Sequence, residues 1–214
     1  MRSNFNIAVC LSCLILLLVA CGGAPSIREG NSQKDLDVMS GPASKVLVMA
    51  LYPEQDTETR VVIENAVVGG FRQSGVEASA GYRVFETYSG LATQVAEVKE
   101  AMEAGGFNAL LLVDPIRVKS HDPGEWAERR SAYRAFDMST AATFNLIGQL
   151  SEEADAAKAE IDVTVWDLGS GSFVWHTEYD FNAPGSYDLE VARQYADEFA
   201  KMLSNKLRSE GVVQ

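Results

Sequence analysis

Two alternating runs around a glycine-rich turn constrain the fold of this chain more than any other feature. Residues 161–166 alternate apolar β-branched residues with others, and residues 173–179 repeat the alternation. The segment between them, residues 167–172, reads Asp-Leu-Gly-Ser-Gly-Ser. Period-two alternation indicates a strand, and a short glycine-containing segment between two such runs is typical of a hairpin turn. The sequence therefore predicts an antiparallel β-hairpin.

A long amphipathic helix is predicted after the hairpin. Its apolar stripe consists of Leu189, Ala192, Ala196, Phe199, Leu203 and Leu207. Acidic residues (Asp188, Glu190) lie at its beginning and basic ones (Lys201, Lys206, Arg208) near its end, which matches the helix dipole. Gly211 is the predicted stop.

Strands and helices alternate upstream of the hairpin. Strands are predicted at residues 45–52, 82–86 and 107–113, with helices from Asp56 or Thr57 to Ser74 and from Ser89 to Gly105. Within the first helix, Gly69-Gly70 is either a weak point or a place where another backbone approaches closely. Asp114-Pro115 should end the third strand. Within residues 131–150, the pattern at 132–136 is compatible with a strand and that at 141–150 with a strand or a helix. The predicted fold is an α/β (α+β) sandwich with a mixed sheet of about five strands, packed helices, and a C-terminal hairpin followed by a long helix.

The N-terminus has the pattern of an export signal. Arg2 precedes an apolar stretch from Ile7 to Ala20, which is too short to span a bilayer comfortably. Leu18-Val19-Ala20-Cys21, followed by Gly22, resembles a bacterial lipobox. That resemblance implies cleavage between Ala20 and Cys21, lipidation of Cys21, and, because Gly22 is not Asp, an outer-membrane location facing the periplasm. A plain secretory signal or a short membrane anchor is the alternative.

Cleavage at the lipobox would determine the chemistry of the mature chain. Of the three cysteines, Cys10 and Cys13 would be removed and Cys21 lipidated, so no disulfide is expected. Removal of Arg2 would leave 17 basic and 30 acidic residues, a net charge of −13, which disfavours nucleic acid as a partner.

Residues 22–44 are polar and rich in Gly, Ser and Pro. They predict a flexible tether with a reach of roughly 25–30 Å, so the organisation is signal peptide 1–20, lipidated N-terminus and tether 21–44, and one domain over 45–214.

Few residues of the sequence are candidates for a catalytic, metal-binding or phosphate-binding site. His121 and His176 have no sequence neighbours that complete a metal or catalytic set, and Glu152, Glu153 and Asp155 lack an EF-hand pattern. The Gly-Ser-Gly-Ser segment lies within a hairpin, where a phosphate loop would need a helix N-terminus. No cofactor, metal or catalytic residue is predicted. The aromatic residues Trp166, Trp175 and Tyr179 either pack in the core or form a partner surface.

A family resemblance rests on the order of these elements and on the hairpin residues Asp167, Gly171 and Trp175. The chain resembles bacterial envelope lipoproteins of the group that includes LpoB-type activators of penicillin-binding proteins and the CsgG curli-secretion lipoprotein. Their shared fold is an α/β sandwich similar to the N-terminal domain of TolB. A pore is disfavoured because residues 131–150 are too short for two membrane-crossing strands, and a 23-residue tether is short for an activator that crosses the cell wall.

The resemblance and the signal together predict a function. We expect a membrane-anchored, non-enzymatic accessory or scaffold protein that binds a protein partner in the cell envelope. The alternative is a periplasmic small-ligand-binding or enzymatic lipoprotein that uses the charged loop at residues 114–130.

Overall fold

One mixed sheet organises the molecule. The structure, a computed structural model, describes residues 26–51, 57–85, 95–116, 158–182 and 189–214. Within these ranges seven strands form the sheet in the order β1-β7-β6-β5-β3-β4, and β2 also pairs with β7. The strands are β1 (Ser26–Glu29), β2 (Gln33–Lys34), β3 (Lys45–Ala50), β4 (Glu77–Ala80), β5 (Ala109–Ile116), β6 (Lys158–Asp167) and β7 (Ser172–Asn182). The helices are α1 (Thr57–Gln73), α2 (Val95–Ala104) and α3 (Leu189–Ser209).

The sheet has a parallel part and an antiparallel part. β3 pairs in parallel with β4 and β5, which are reached through α1 and α2. β5, β6, β7 and the N-terminal strands pair antiparallel. The predicted α/β class, with a mixed sheet and a C-terminal hairpin followed by a long helix, is confirmed; two strands come from the N-terminal segment.

The helices cover opposite faces of the sheet. On the α1/α3 face, alternate strand residues such as Val48, Leu111 and Val163 pack beneath α1 and α3. On the α2 face, Met102 of α2 packs with a smaller cluster made of Leu47, Met49, Leu51, Leu110, Leu112 and Trp166. The two helices of the α1/α3 face lie unusually close at Gly70, where an added Cβ would lie 2.9 Å from the carbonyl oxygen of Ala200. Close approach is therefore the role of this glycine.

Helix ends follow the predicted glycine signals. Gly75, Gly106 and Gly211 all have positive φ (84°, 69° and 77°), the left-handed conformation that glycine adopts most easily after a helix. The second predicted helix is described from Val95 onward, and residues 131–150 lie outside the described residues.

Two strand boundaries differ from the prediction. The second strand is Glu77–Ala80, whereas the predicted strand at 82–86 begins in a 3₁₀ turn over Gly81–Arg83. The buried carboxylate of Glu64 accepts hydrogen bonds from the backbone N–H groups of Ala50 (2.9 Å) and Tyr82 (3.0 Å), which turns the chain away from the sheet after β4. β5 continues through Pro115 to Ile116 and pairs with β6 over its whole length, so the Asp114-Pro115 stop was wrong.

The predicted flexible tether is wrong over residues 26–44. β1 pairs with β7 from Ser26 (opposite Asn182) to Glu29 (opposite Tyr179). Ala43 is buried and its N–H donates to the carbonyl oxygen of Val212 at 2.8 Å. A polar composition concealed this order because an edge strand is held largely by backbone hydrogen bonds, which any sequence without proline can make.

Candidate functional site: the N-terminal junction

The N-terminal segment closes one edge of the sheet. We call β1, β2 and the residues of β7 and α3 that they contact the N-terminal junction. Between the two short strands, the Gly30 N–H donates to the Glu178 carbonyl oxygen at 2.8 Å, and beyond them Asp35 donates to Val174 at 2.9 Å. An added Cβ at Gly30 would lie 3.0 Å from the Glu178 oxygen, so glycine lets the segment follow β7 closely.

A network of polar side chains fixes this edge to the end of α3. The Glu210 carboxylate accepts hydrogen bonds from the Ser32 hydroxyl (2.6 Å) and from the Trp175 indole N–H (2.7 Å). Lys206 lies 3.4 Å from Glu210 Oε1 and forms a close ion pair with Glu29 of β1. Three parts of the chain therefore meet at one carboxylate: the N-terminal segment, the hairpin and the C-terminal helix.

The protonation equilibria of the network favour its charged form. Burial alone would raise the pKa of Glu210, but hydrogen bonds from Ser32, Trp175 and Lys206 outweigh it, and the pKa falls below its ordinary value. The hydrogen bond with Glu29 is the main reason that the pKa of Lys206 is raised. Both groups are therefore ionised across the neutral pH range.

Tyr179 lies next to this network, inside the core. Burial raises the pKa of its phenol strongly, and the nearby charges of Glu29 and Glu210 raise it further. Its ring meets that of Phe199 edge to face, with centroids 5.1 Å apart, and its hydroxyl has no hydrogen-bond partner among the described residues. Tyr179 is a neutral packing residue here.

Of the two alternatives for Trp166, Trp175 and Tyr179, packing in the core is confirmed and the partner surface is wrong. Their exposed fractions are 1%, 0% and 0%. Trp166 packs on the α2 face against Phe173, with ring centroids 5.6 Å apart, and donates its indole N–H to Thr164 Oγ1 at 3.2 Å. Trp175 and Tyr179 belong to the core of the α1/α3 face. These side chains are covered by the chain itself and cannot present a surface to a partner.

His176 belongs to a buried polar row on the α2 face. Its Nε2 contacts Asp162 Oδ1 closely, and both residues are at least 95% buried. Register places Asp114, Asp162 and Glu178 directly opposite one another on β5, β6 and β7. Among the described residues, no group of three or more His, Cys, Asp or Glu side chains is arranged to hold a metal ion. The geometry makes His176 the partner of a buried carboxylate.

Several residues singled out from the sequence lie outside the described residues. They are Ala20, Cys21, His121, Glu152, Glu153, Asp155 and, of the charged loop at 114–130, residues 117–130. No helix among the described residues is both long and apolar enough to cross a membrane.

The glycine-rich turn is confirmed: Asp167 Oδ2 accepts the Ser170 N–H at 2.7 Å, and Gly171 has a φ of 69°.

Sequence reasoning missed the residues of the junction network. Glu29 and Lys206 are 177 positions apart, and Ser32 and Glu210 are 178 apart. No local pattern links them. The only local signal is the pair of basic residues Lys206 and Arg208 at the end of α3, and the helix dipole already accounts for it.

Comparison with known proteins leaves the family open. No family model and no curated protein matches the chain. Among solved structures, PelC from Paraburkholderia phytofirmans, described as a dodecamer, is 9% identical, with a TM-score of 0.40, covering 83% of this chain and 96% of that one. A variant of the same protein is 11% identical, with a TM-score of 0.39, covering 84% and 98%. Similarity at this level carries no argument about function or assembly.

Proposed function

We propose that this chain is a lipid-anchored protein of the bacterial cell envelope, a non-enzymatic accessory or scaffold that binds a protein partner. Its lipid would be attached to Cys21, and its expected location is the periplasmic face of the outer membrane. The sequence supports this proposal through the apolar run that ends in Leu18-Val19-Ala20-Cys21 and Gly22. The proposal includes no catalytic activity for the domain.

One structural observation carries the proposal. β1 begins at Ser26, only five residues after Cys21, and is fixed to α3 by the ion pair between Glu29 and Lys206. Cleavage before Cys21 would leave only residues 21–25 between the lipid and an ordered strand, and this link of five residues would hold the domain close to the membrane.

Lipidation is tested by the mass of the N-terminal peptide. Full-length protein is expressed in a bacterium, extracted from membranes with detergent and digested for mass spectrometry. We expect the first peptide to begin at Cys21 with added diacylglyceryl and acyl groups. Cys21→Ser should abolish the added mass and the membrane attachment, whereas the matched control Cys13→Ser should change neither. Wild-type protein that begins elsewhere or lacks lipid would contradict the proposal.

Partner binding needs a second experiment in the same cells. A photo-crosslinking residue is placed at exposed positions of α3, such as Gln194 or Glu198. We expect a discrete crosslinked species with one envelope protein, reduced in the Cys21→Ser background because the unanchored protein no longer shares the membrane surface. An absence of specific crosslinks over exposed sites on every element would contradict a scaffold role and favour ligand binding.

A further inference from the structure

The register of the strands shows at which end of the sheet the N-terminal strand β1 begins. In one row of the register Ile116 lies opposite Glu160, Glu160 opposite Asp180, and Asp180 opposite Arg28. The carboxyl end of β5, the end of β7 and the beginning of β1 therefore share one end of the sheet. We call it the Ser26 end.

Both long helices also begin at this end. α1 follows the carboxyl end of β3, and α3 follows the end of β7. Their N-terminal parts are adjacent, since the guanidinium of Arg193 lies 3.7 Å from the carboxylate of Glu58. α3 then runs toward the opposite end, where the hairpin turn at residues 168–171 lies and where Ala43 bridges Val213.

The distance from the anchor to this end is limited by chain length. Five residues, extended fully, span at most about 17 Å. The link cannot grow by unravelling β1 without breaking the backbone pairing with β7 and the ion pair of Glu29 with Lys206 of α3. The contact of Ser32 with Glu210, just beyond α3, would follow. A free tether over 22–44 would have allowed the domain to turn in any direction; the ordered junction removes that freedom.

We propose that the domain stands on the lipid bilayer by its Ser26 end, with α3 running away from the membrane. This inference rests on the lipidation of Cys21 under the proposed function. The bilayer is the surface that the Ser26 end meets, because the anchor enters beside that end and at no other. The strong negative charge of the chain argues against adhesion to anionic headgroups, so the short link is the constraint from which the orientation follows, and added salt should not change it.

Energy transfer to the bilayer measures this orientation. The lipidated mature protein would carry no free thiol, because Cys21 is blocked and the other two cysteines are removed, so single labels can be introduced. Gln194→Cys and Arg208→Cys are both exposed on α3 and lie about 21 Å apart along the helix. Each is labelled with a donor and reconstituted into phosphatidylethanolamine/phosphatidylglycerol vesicles that carry a headgroup acceptor. We expect transfer from position 194 to exceed that from position 208 by about twofold or more.

A lengthened link is the matched control. About 20 Gly/Ser residues inserted between Cys21 and Ser26 should leave the protein attached but abolish the difference between the two positions. A second pair of labels, Glu58→Cys near the Ser26 end and Ser209→Cys near the other, should reproduce the native-length difference. Circular dichroism checks that each labelled protein is folded.

The outcomes separate the two proposals. Lipidated, vesicle-bound protein with equal transfer at both positions, or greater transfer from position 208, overturns the orientation while leaving lipid anchoring intact. Protein that lacks the lipid mass and does not sediment with vesicles overturns the anchoring and the orientation together.

Discussion

The α1/α3 face of the sheet is packed with apolar and aromatic side chains, whereas the α2 face combines a small apolar cluster with a buried polar row. Phe199 shows the first arrangement: it meets Tyr179 and Phe181 edge to face. Asp162 and His176 show the second, because the imidazole Nε2 contacts one oxygen of the buried carboxylate. Close packing of apolar side chains stabilises the first face, and a buried polar contact contributes to the second. Substitutions on the two faces should therefore change the stability of the protein in different ways.

The largest effect is expected where a buried pair is broken on the α2 face. His176→Leu removes the ring that contacts the Asp162 carboxylate, and such a loss typically destabilises a protein by about 3–5 kcal/mol. The measurement is the free energy of unfolding in urea at pH 7. The double variant Asp162→Leu/His176→Leu should recover much of the loss, since it buries no carboxylate that has lost its contact with His176. Equal loss in the single and double variants would show that the pairing is unimportant.

Substitution of two adjacent glycines of α1 tests the close packing of the helices on the α1/α3 face. Gly70→Ala places a Cβ against the Ala200 carbonyl oxygen and should destabilise the protein by about 1–3 kcal/mol. Gly69→Ala would bring the new Cβ within 4 Å of no heavy atom outside the surrounding helix backbone and should stabilise the helix by up to about 1 kcal/mol. Thermal unfolding of both proteins gives the comparison. Effects of the same sign would mean that the helices do not approach each other at Gly70.

The junction network should respond to Glu210→Gln with a loss of about 1–2 kcal/mol at pH 7. Because the folded-state pKa of Glu210 is lowered, the stability that it provides is present above its ordinary pKa of 4.5 and is lost as pH falls through the folded value. The variant should therefore lose less stability on acidification than the wild type.

The same substitution should also loosen the N-terminal segment. Trypsin should cut faster at Arg28 or Lys34 in the Glu210→Gln variant, whereas Glu198→Gln, on the exposed side of α3, should not change the rate. A Glu210→Gln protein with unaltered cleavage would mean that backbone pairing with β7 holds the segment without help from α3.

Tyr179→Phe should have the smallest effect at pH 7, within about 0.5 kcal/mol, because the hydroxyl has no partner among the described residues. The raised pKa of Tyr179 predicts a difference in alkali. The unfolded chain ionises this phenol above its ordinary pKa of 10.0 and the folded chain does not, so wild-type stability falls above that pH. The variant should lose less stability between pH 9 and pH 11. A loss above about 1 kcal/mol at pH 7 would indicate a hydrogen bond to the hydroxyl.

Patterns of neighbouring residues predicted those strands and helices whose formation depends on nearby residues. The hairpin followed from alternation at 161–179 and a glycine turn, and α3 from a stripe of apolar residues with matching charges. The same alternation could not say which face of the hairpin would be covered. For Trp166 and Trp175 it leaves both core packing and a partner surface open, and the structure buries both, one in the core of each face.

Contacts between distant positions were beyond prediction from the sequence. The N-terminal strands are short and polar, with Ile27 as one of few apolar residues packed against the core. Their order depends on β7 and on Lys206 and Glu210, which lie nearly the whole domain away in sequence. A composition rule treats such a segment as a linker because it counts side chains and not available backbone partners.

The position of β1 at the outer edge beside β7 also constrains the order of folding. Among the described residues, the first strand pairs with the last, so its partners do not exist until β7 and α3 have been made. Closing so long a loop is entropically slow, and we expect pairing of the N-terminal segment to be a late event. The part of the domain that is synthesised first would be the last to acquire its native contacts.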